Sequence, residues 1–480
     1  MSNSYRHIFK YTGLFGSVQA LYVVLAVVRN KVTALFIGAA GMGLADLYCR
    51  VVELVGNMTN FGLGTSAVRR LSELYGEGKS LLSLRHHVRL IRTWVLVTAL
   101  LGLLLFLLAS PLISWLARGN FSGFADLCWL SLAVFFSTLM GGEMAILKGI
   151  RQLRRLAAAS ALSALGTLLA TVLLYGIWGI AGVVPVVVCT SALGFLFNFL
   201  AARRSYPWVV GPYRIPFLKQ GVPMVRLGMA YILAGMMTSG AELLVRTGIL
   251  HIAGGLEKVG LYSAGFTLTV SYARMIFVAM DADYFPRLSA AVSNIREMNV
   301  LINRQVNTLV VLMAPFLVVF CLSLPLVVRI LYTPEFLSVI PMVLAAASYM
   351  YFKAIYTPVA YISLAKGDSV VYMVLELLYD AVFALLVIGG FAWKGLLGAG
   401  LALSLANLFD LVLILSFCRR RYGYKMNRAT AKRCAVLFFI LLCGLLVATQ
   451  SSVLLRSTLG IAVLLVLLPF VWPVLQKVRK

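Results

Sequence analysis

The chain has 480 residues, of which 61% are hydrophobic and only 12% are charged. A soluble domain carries about twice that charged fraction, and its interior is too small to cover so much apolar surface. Composition therefore excludes a soluble globule, a disordered chain, a collagen and a disulfide-rich secreted scaffold. It predicts an all-α polytopic membrane protein. The net charge of +26 would suggest nucleic-acid binding in a soluble protein, but the cytoplasmic loops of membrane proteins also collect Lys and Arg.

Fourteen apolar stretches are long enough to cross a bilayer, since a spanning helix needs about 20 residues. In chain order they are 11–37, 43–66, 90–117, 124–147, 156–176, 179–202, 228–253, 260–285, 305–331, 337–363, 369–392, 395–418, 433–450 and 457–476. Barrel strands are much shorter than these runs, so helices are expected. The connecting loops are short, and none has room for a catalytic domain.

The distribution of basic residues orients the helices. With the N-terminus inside, cytoplasmic segments and helix ends hold 31 of the 42 Lys and Arg residues, and outer segments hold five. This asymmetry predicts that both termini are cytoplasmic, and it accounts for most of the net charge without nucleic acid. The seven cysteines form no CxxC pair, and the four histidines show no metal-ligand spacing. We therefore expect no metal site, no cofactor and no disulfide framework.

A shift of about 217 residues places the first six spans on the next six. The matched positions are Val28-Arg29 with Val245-Arg246, Gly179 with Gly395, Gly182 with Gly398, and Arg203-Arg204 with Arg419-Arg420. Because six is even, both halves start on the same side, and a pseudo-twofold axis along the membrane normal relates them. Such parallel repeats are typical of transporters with a substrate path between the halves. The predicted domains are two six-helix lobes, 1–205 and 206–421, followed by two additional helices in 422–480.

Six basic residues fall within the predicted spans: Arg29, Lys31, Arg50, Arg246, Arg274 and Lys353. A charge in the bilayer is costly, so such residues mark functional sites by default. From the rise of ~1.5 Å per residue, Arg29, Arg50 and Arg246 lie roughly 24–27 Å above the cytoplasmic ends of their helices. Arg274 and Lys353 lie at roughly 14 Å. Lys31 is near the outer surface, where a long side chain can reach water.

This arrangement favours a polyanionic ligand, since guanidinium groups bind phosphate oxygens through paired hydrogen bonds. Five residues are predicted to bind it: Arg29, Arg50, Arg246, Arg274 and Lys353. For two of them a purely structural ion pair is an equal alternative, because Asp46 and Glu53 flank Arg50 on one helix face and Glu242 lies four residues before Arg246.

Acidic residues in the second half suggest a cation site. Glu376 and Asp380 lie in the eleventh span, and Asp410 lies in the twelfth. They suit Na⁺ or H⁺, and the alternative is a protonated pair that only joins the two helices. Glu143 in the fourth span is a further candidate of the same kind.

The N-terminal 75 residues contain a series of short motifs: Phe9-Lys10-Tyr11-Thr12, Phe15-Gly16, Gln19, Arg29-Asn30-Lys31, Gly41-Met42-Gly43-Leu44, Asn60-Phe61-Gly62-Leu63-Gly64 and Ala67-Val68-Arg69. Through these residues the chain resembles the opening of bacterial O-antigen translocases. These translocases are the Wzx-type flippases of the polysaccharide transport family, in one superfamily with lipid II flippases and multidrug and toxin extruders. The resemblance implies two six-helix lobes in a V, which alternate between inward-open and outward-open states.

The resemblance also implies the substrate and the partners. The substrate would be an undecaprenyl-pyrophosphate-linked oligosaccharide, made at the cytoplasmic face of the bacterial inner membrane and flipped to the periplasmic leaflet. Association with the polysaccharide polymerase machinery is expected as well. In lipid II flippases a sodium site involves helices 7, 11 and 12, so Glu242 joins Glu376, Asp380 and Asp410 as a residue for cation coupling.

Three alternatives stay open from the sequence. A multidrug extruder would have the same fold, but basic residues in its cavity would repel a cationic drug. A lipid II flippase also binds a pyrophosphate, although the N-terminal residues fit it less well. A membrane glycosyltransferase or O-antigen polymerase generally needs a substantial outer loop with catalytic groups, which this chain lacks. We therefore expect a transporter and not an enzyme.

Overall fold

The computed structural model describes residues 2–76, 81–118, 124–207, 209–211, 215–271, 277, 284–285, 287–450 and 452–479. Within these residues the backbone is helical apart from short connections, and it contains no β-strand. The chain groups into two compact units, Met1–Glu257 and Lys258–Lys480. The first unit holds α8, which contains the seventh predicted span. The lobe boundaries that the repeat suggests stay a prediction.

The N-terminal unit consists of helices that the short loops connect in sequence. They are α1 (Ser2–Thr59), α2 (Leu63–Gly76), α3 (Leu81–Arg118), α4 (Phe124–Gly149), α5 (Leu153–Trp178), α6 (Val183–Arg203), the short α7 (Ile215–Lys219) and α8 (Val222–Ala253). The second unit begins within α9 (Leu256–Phe266), which continues as a π-helical turn, Thr267–Ser271. It then holds α10 (Ile295–Leu331), α11 (Ile340–Ala365), α12 (Ser369–Tyr422), α13 (Arg428–Ala448) and α14 (Val453–Arg479).

Eight helices in the described part of the chain are long and apolar enough to cross a membrane. Three of these each overlap two predicted spans: Val24–Thr59, Arg154–Arg203 and Val370–Tyr422, which are 36, 50 and 53 residues long. Helices α8 and α14 lie at the seventh and fourteenth predicted spans. The eighth predicted span is helical to Ser271, and most of its remainder lies outside the described residues. The predicted all-α, multi-pass membrane fold is thus confirmed.

Glycines divide the long helices between successive spans, and two of them show the repeat in the backbone itself. Gly179 has φ 53° and ψ −130°, and Gly395 has φ 57° and ψ −136°. Only glycine adopts such positive φ values without strain. Three residues further on, a Cβ on Gly182 or Gly398 would overlap the carbonyl group of the residue eight positions earlier. Both glycine pairs that the repeat aligns therefore occupy equivalent backbone positions.

The second predicted span is shorter than expected. Helix α1 ends at Thr59, and the chain turns through Phe61 and Gly62, whose φ values are 49° and 62°. The residues that follow form the separate helix α2. Its buried apolar side chains recur at about one-turn intervals, whereas its charged side chains are exposed. They are Leu63, Ala67, Leu71 and Leu74 on the buried face and Arg69, Arg70 and Glu73 on the exposed face.

A ladder of asparagines on α10 anchors the start of the two additional helices. The Asn299 and Asn303 side-chain oxygens accept hydrogen bonds of 2.9 Å from the backbone N–H groups of Lys425 and Asn427. One turn later the amide of Asn307 donates to the hydroxyl of Thr430 at 2.9 Å. Asparagines four residues apart share a helix face, so this ladder fixes the entry of α13 against α10.

Candidate functional site

Charged side chains of α1 and α8 form one connected group in the N-terminal unit. We define the charged cluster as Asp46, Arg50, Glu53, Glu242 and Arg246. One terminal nitrogen of Arg50, Nη1, lies 2.8 Å from the Glu53 carboxylate and 2.9 Å from the Glu242 carboxylate. The Arg50 Nε lies 3.4 Å from Asp46. Arg246 Nε donates to the other oxygen of Asp46, and its Nη1 lies 3.7 Å from Glu242.

The pairing crosses between helices as well as along them. The sequence predicts the spacings from Asp46 to Arg50 and from Glu242 to Arg246, which follow the helical period. The structure adds the contacts from Arg50 to Glu242 and from Arg246 to Asp46, so each arginine touches acidic groups of both helices. Two guanidinium groups face three carboxylates, and the ionised cluster therefore carries one excess negative charge.

Burial divides the charged cluster into an inner and an outer part. The Arg246 side chain is 1% exposed and the Glu242 side chain is 10% exposed. Arg50 is 23% exposed, and Glu53 is 49% exposed. An arginine this deeply buried is stable only with full pairing, so Arg246 serves as the fixed support of the group. Arg50, Glu53 and Asp46, which is 21% exposed, form the outer part that a ligand can reach.

The polar contact between the same helices continues beyond the charged cluster. The Asn57 amide donates to the Ser239 hydroxyl at 2.7 Å. Both residues lie seven positions from an arginine of the cluster, about two turns along their helices. Sequence reasoning missed this pair, although Asn57 and Ser239 are polar residues in otherwise apolar spans.

Arg29 lies on α1 beside a cavity of about 320 Å³ whose lining is partly polar. The cavity lies among α1, α4, α5 and α6, and its lining includes hydroxyls and one amide. Cys49, the neighbour of Arg50 in the chain, is within electrostatic reach of both Arg29 and Arg50. Arg29 therefore lies near the charged cluster. The structure thus brings Arg29, Arg50 and Arg246 into one region of the N-terminal unit. The sequence predicts these three at a similar height.

The fourth basic residue, Lys353, lies in the C-terminal unit on α11. Its Nζ donates to the Tyr349 hydroxyl at 3.3 Å and lies 5.5 Å from the centre of the same ring. Lys353 also interacts electrostatically with Asp410 of α12. Arg274, the fifth predicted ligand, lies outside the described residues.

The three acidic residues of α12 lie in a tyrosine-rich region of the same unit. Asp380 and Asp410 are 4% and 6% exposed. Asp410 lies within electrostatic reach of Tyr356, Glu376 and Asp380. The Tyr356 hydroxyl also contacts Asn407 at 3.1 Å. Among the described residues no three His, Cys, Asp or Glu side chains are arranged to hold a metal ion, and the predicted coupling roles stay predictions.

Glu143 has a partner that the sequence did not suggest. The Arg92 guanidinium donates to both of its carboxylate oxygens, at 2.8 and 2.9 Å, and each side chain is 2% exposed. Arg92 also donates to the carbonyls of Tyr206 and Pro207, at 3.2 and 2.7 Å. This group joins α3, α4 and the segment after α6. Glu143 is therefore the acidic half of a buried ion pair, and its candidacy for a cation site stays a prediction.

Comparison with known proteins places the chain in a family and in a fold. A family model described as "Polysaccharide biosynthesis protein" matches residues 32–341. No curated protein sequence matches the chain. Among solved structures, the inward closed conformation of the lipid II flippase MurJ has a TM-score of 0.71 at 15% identity, and the match covers 97% of this chain and 100% of that one.

Two further structures have the same fold. An inward-facing multidrug resistance MATE family transporter of the MOP superfamily has a TM-score of 0.68 at 14% identity, over 86% of this chain and 96% of that chain. A MOP superfamily transporter from Pyrococcus furiosus has a TM-score of 0.58 at 14% identity, over 85% of this chain and 93% of that one. The fold predicted through the resemblance is therefore confirmed.

Proposed function

The chain belongs to the polysaccharide biosynthesis protein family, and from this membership and the intramembrane arginines we propose that it is a lipid-linked oligosaccharide flippase. Its substrate is an undecaprenyl-pyrophosphate-linked oligosaccharide, which moves from the cytoplasmic to the periplasmic leaflet of the bacterial inner membrane by alternating access. The termini lie in the cytoplasm, as the excess of basic residues in the inner loops favours. Substrate translocation, without covalent chemistry, is the whole of the activity.

The observation that carries the proposal is the position of Arg29, Arg50 and Arg246 in one region of the N-terminal unit. Arginine binds phosphate oxygens in a bidentate manner and keeps its charge at every physiological pH. Arg50 is 23% exposed, and its partner Glu53 is half exposed, so a phosphate can replace this carboxylate. Arg29 supplies a second guanidinium at the cavity. Arg274 and Lys353 are assigned to the same head group at another stage of transport.

Arg246 supports phosphate binding through the groups around it. It is 1% exposed and pairs with Asp46 and Glu242, which both also contact Arg50. The same two carboxylates therefore orient both guanidinium groups. When a phosphate approaches Arg50, Arg246 holds these carboxylates and leaves the Arg50 nitrogens free to turn toward the ligand.

Cation coupling is proposed for Glu242, Glu376, Asp380 and Asp410. Glu242 contacts both arginines of the charged cluster, so a proton or Na⁺ at this carboxylate would weaken its hold on Arg50. Asp410 lies near Lys353, which gives the C-terminal unit a comparable contact between an acidic and a basic group. Transport measured with and without a Na⁺ or pH gradient identifies the coupling ion.

The test is transbilayer movement of the lipid-linked oligosaccharide in proteoliposomes. We expect Arg29→Ala to abolish movement while the protein stays folded, because the phosphate loses a guanidinium ligand. Lys31→Ala is the matched control on the same helix, and it should transport like the wild type. Full activity of the Arg29→Ala protein would disprove the assigned role.

The same vesicles distinguish the alternatives. Movement of lipid II in place of the oligosaccharide would favour a lipid II flippase, which is what MurJ is called. Export of cationic drugs with no lipid movement would favour a multidrug extruder. The charged cluster has a net negative charge and can attract a cation. The measurement of drug export is therefore necessary.

A further inference from the structure

The cavity beside Arg29 has a lining that the binding of a pyrophosphate alone does not explain. Its polar groups are the Arg29 guanidinium, the hydroxyls of Ser160, Ser163, Thr167, Thr190 and Ser191, and the amide of Asn198. On α5 the hydroxyls follow the helical period, and the flanking residues Leu162, Leu165 and Leu169 are exposed on the outer side of the helix. Polar side chains thus line the cavity side of α5 and α6, which are otherwise apolar helices.

Two polar atoms in this lining lack hydrogen-bond partners in the described structure. Asn198 is 2% exposed; its nitrogen donates to the carbonyl of Gly194 at 2.8 Å, but its oxygen Oδ1 has no donor. The Ser163 hydroxyl is buried and equally without a partner. Buried polar groups are nearly always satisfied, and an unsatisfied acceptor is costly. Both atoms are themselves buried, so a ligand that offers hydroxyl groups would satisfy them once the two side chains turn toward the cavity.

The other hydroxyls are held in place and keep acceptor capacity. Thr190 and Ser191 both donate to the carbonyl of Val187, at 3.1 and 2.9 Å. Their oxygens can still accept hydrogen bonds from a ligand in the cavity. Met140 and Met144 complete the lining with flexible apolar side chains, which can pack against the C–H face of a ring.

Size and charge narrow the ligand class. Pockets for small molecules measure about 300–1,000 Å³, so this cavity is at the lower end and suits one sugar ring. It carries one guanidinium among several neutral donors and acceptors. A free pyrophosphate would need more cations, and a cationic drug would be repelled by Arg29. A single sugar with a phosphate at one end matches both the neutral lining and the one charge.

We propose that this cavity is the subsite for the first sugar of the glycan, the one bonded to the pyrophosphate. Arg29 lies at the phosphate end of the ring, and Asn198 Oδ1 accepts a hydrogen bond from a ring hydroxyl. The subsite lets the protein distinguish a glycosylated lipid from the bare lipid pyrophosphate. This inference rests on the proposed function for its lipid-linked form, whereas recognition of the sugar phosphate can be tested without transport.

The first experiment measures binding of N-acetylglucosamine 1-phosphate to the purified protein through its effect on thermal unfolding. The wild type should be stabilised, and Asn198→Leu and Ser163→Ala should bind about tenfold more weakly, as expected for the loss of one hydrogen bond. Thr171→Val is the matched control, since this buried hydroxyl bonds to the carbonyl of Thr167 and lies outside the cavity lining. No stabilisation of the wild type at saturating ligand, or equal weakening by the control, would overturn the subsite.

The second experiment compares two lipids in proteoliposomes: undecaprenyl pyrophosphate with a single N-acetylglucosamine, and undecaprenyl pyrophosphate without sugar. Asn198→Leu should slow the glycosylated lipid about tenfold and leave the bare lipid unchanged. An equal effect on both lipids would show that Asn198 does not recognise the sugar. If the wild type moves neither lipid but binds the sugar phosphate, the proposed function fails and the subsite stands.

Discussion

The buried pair of Arg92 and Glu143 allows the sharpest test of the structure. Each side chain is 2% exposed, and Arg92 donates two hydrogen bonds to Glu143 and one each to the carbonyls of Tyr206 and Pro207. Glu143→Gln preserves the shape but leaves the guanidinium charge without a counter-ion. Breaking one side of a buried pair costs about 3–5 kcal/mol, so the free energy of unfolding should fall by that amount. Arg92→Met should cost a similar amount, because it leaves the carboxylate unpaired.

The double variant Arg92→Met/Glu143→Leu separates charge from packing. It removes both charges, and the main remaining cost is that the carbonyls of Tyr206 and Pro207 lose a donor. The buried Tyr206 contact should dominate this cost, at about 1–3 kcal/mol. We therefore expect the double variant to be more stable than either single variant. Unfolding in detergent micelles by a denaturant, followed by tryptophan fluorescence, measures all three. Arg69→Met in the exposed pair on α2 is the control and should cause no measurable change. Additive effects of the two buried changes would refute the assigned ion pair.

The other predictions use matched pairs of positions. Asp46→Asn should lower both the thermal stability and the rate of flipping, because it removes a carboxylate that pairs with the buried Arg246. Glu53→Gln, at a position 49% exposed, should lower the free energy of unfolding by less than about 1 kcal/mol. Gly179→Ala and Gly395→Ala should each lower the free energy of unfolding by about 1–3 kcal/mol, because alanine is strained at the positive φ of these positions. No atom lies within 4 Å of the added methyl group, so strain is the only cost. A large difference between the two variants would contradict the structural repeat. Asn303→Leu should speed hydrogen exchange in residues 423–430 relative to the wild type, since the side chain bonds to the backbone of that turn at two positions; unchanged exchange would contradict the anchoring role.

The sequence predicts the architecture well because a helix that crosses the bilayer requires a long apolar segment, and such a segment can be recognised from local composition. The positions of the spans follow from the length of the apolar runs, and the family resemblance follows from the N-terminal motifs. The end of the second span is the exception. Residues 60–66 carry no charge, so the predicted span extends through them, but the backbone turns at Phe61 and Gly62, and a hydropathy window cannot detect a positive φ.

The site was only partly predictable, because some of its contacting residues are far apart in the sequence. Spacings of three and four residues identify Asp46 with Arg50, but the contact from Arg50 to Glu242 joins residues almost two hundred positions apart. The same limit hid the partner of Glu143, because Arg92 looks like one more basic residue at a cytoplasmic helix end. The polar side of the cavity could have been predicted, because the hydroxyl residues of α5 recur in the sequence with the helical period.

The excess of carboxylates in the charged cluster bears directly on the proposed transport cycle. Two arginines without counter-ions would be very costly inside a membrane, so the resting protein must neutralise them with its own acidic groups. In the proposed cycle a pyrophosphate would bind by exchange: it would take the place of Glu53 on Arg50, and the released carboxylate would turn toward the face on which it is already 49% exposed. Exchange would lower the net gain from binding compared with bare arginines, and the substrate would therefore be easier to release on the far side. A cluster with more cations than carboxylates would hold the head group too tightly for repeated release, so in this proposal the acidic surplus favours turnover over affinity.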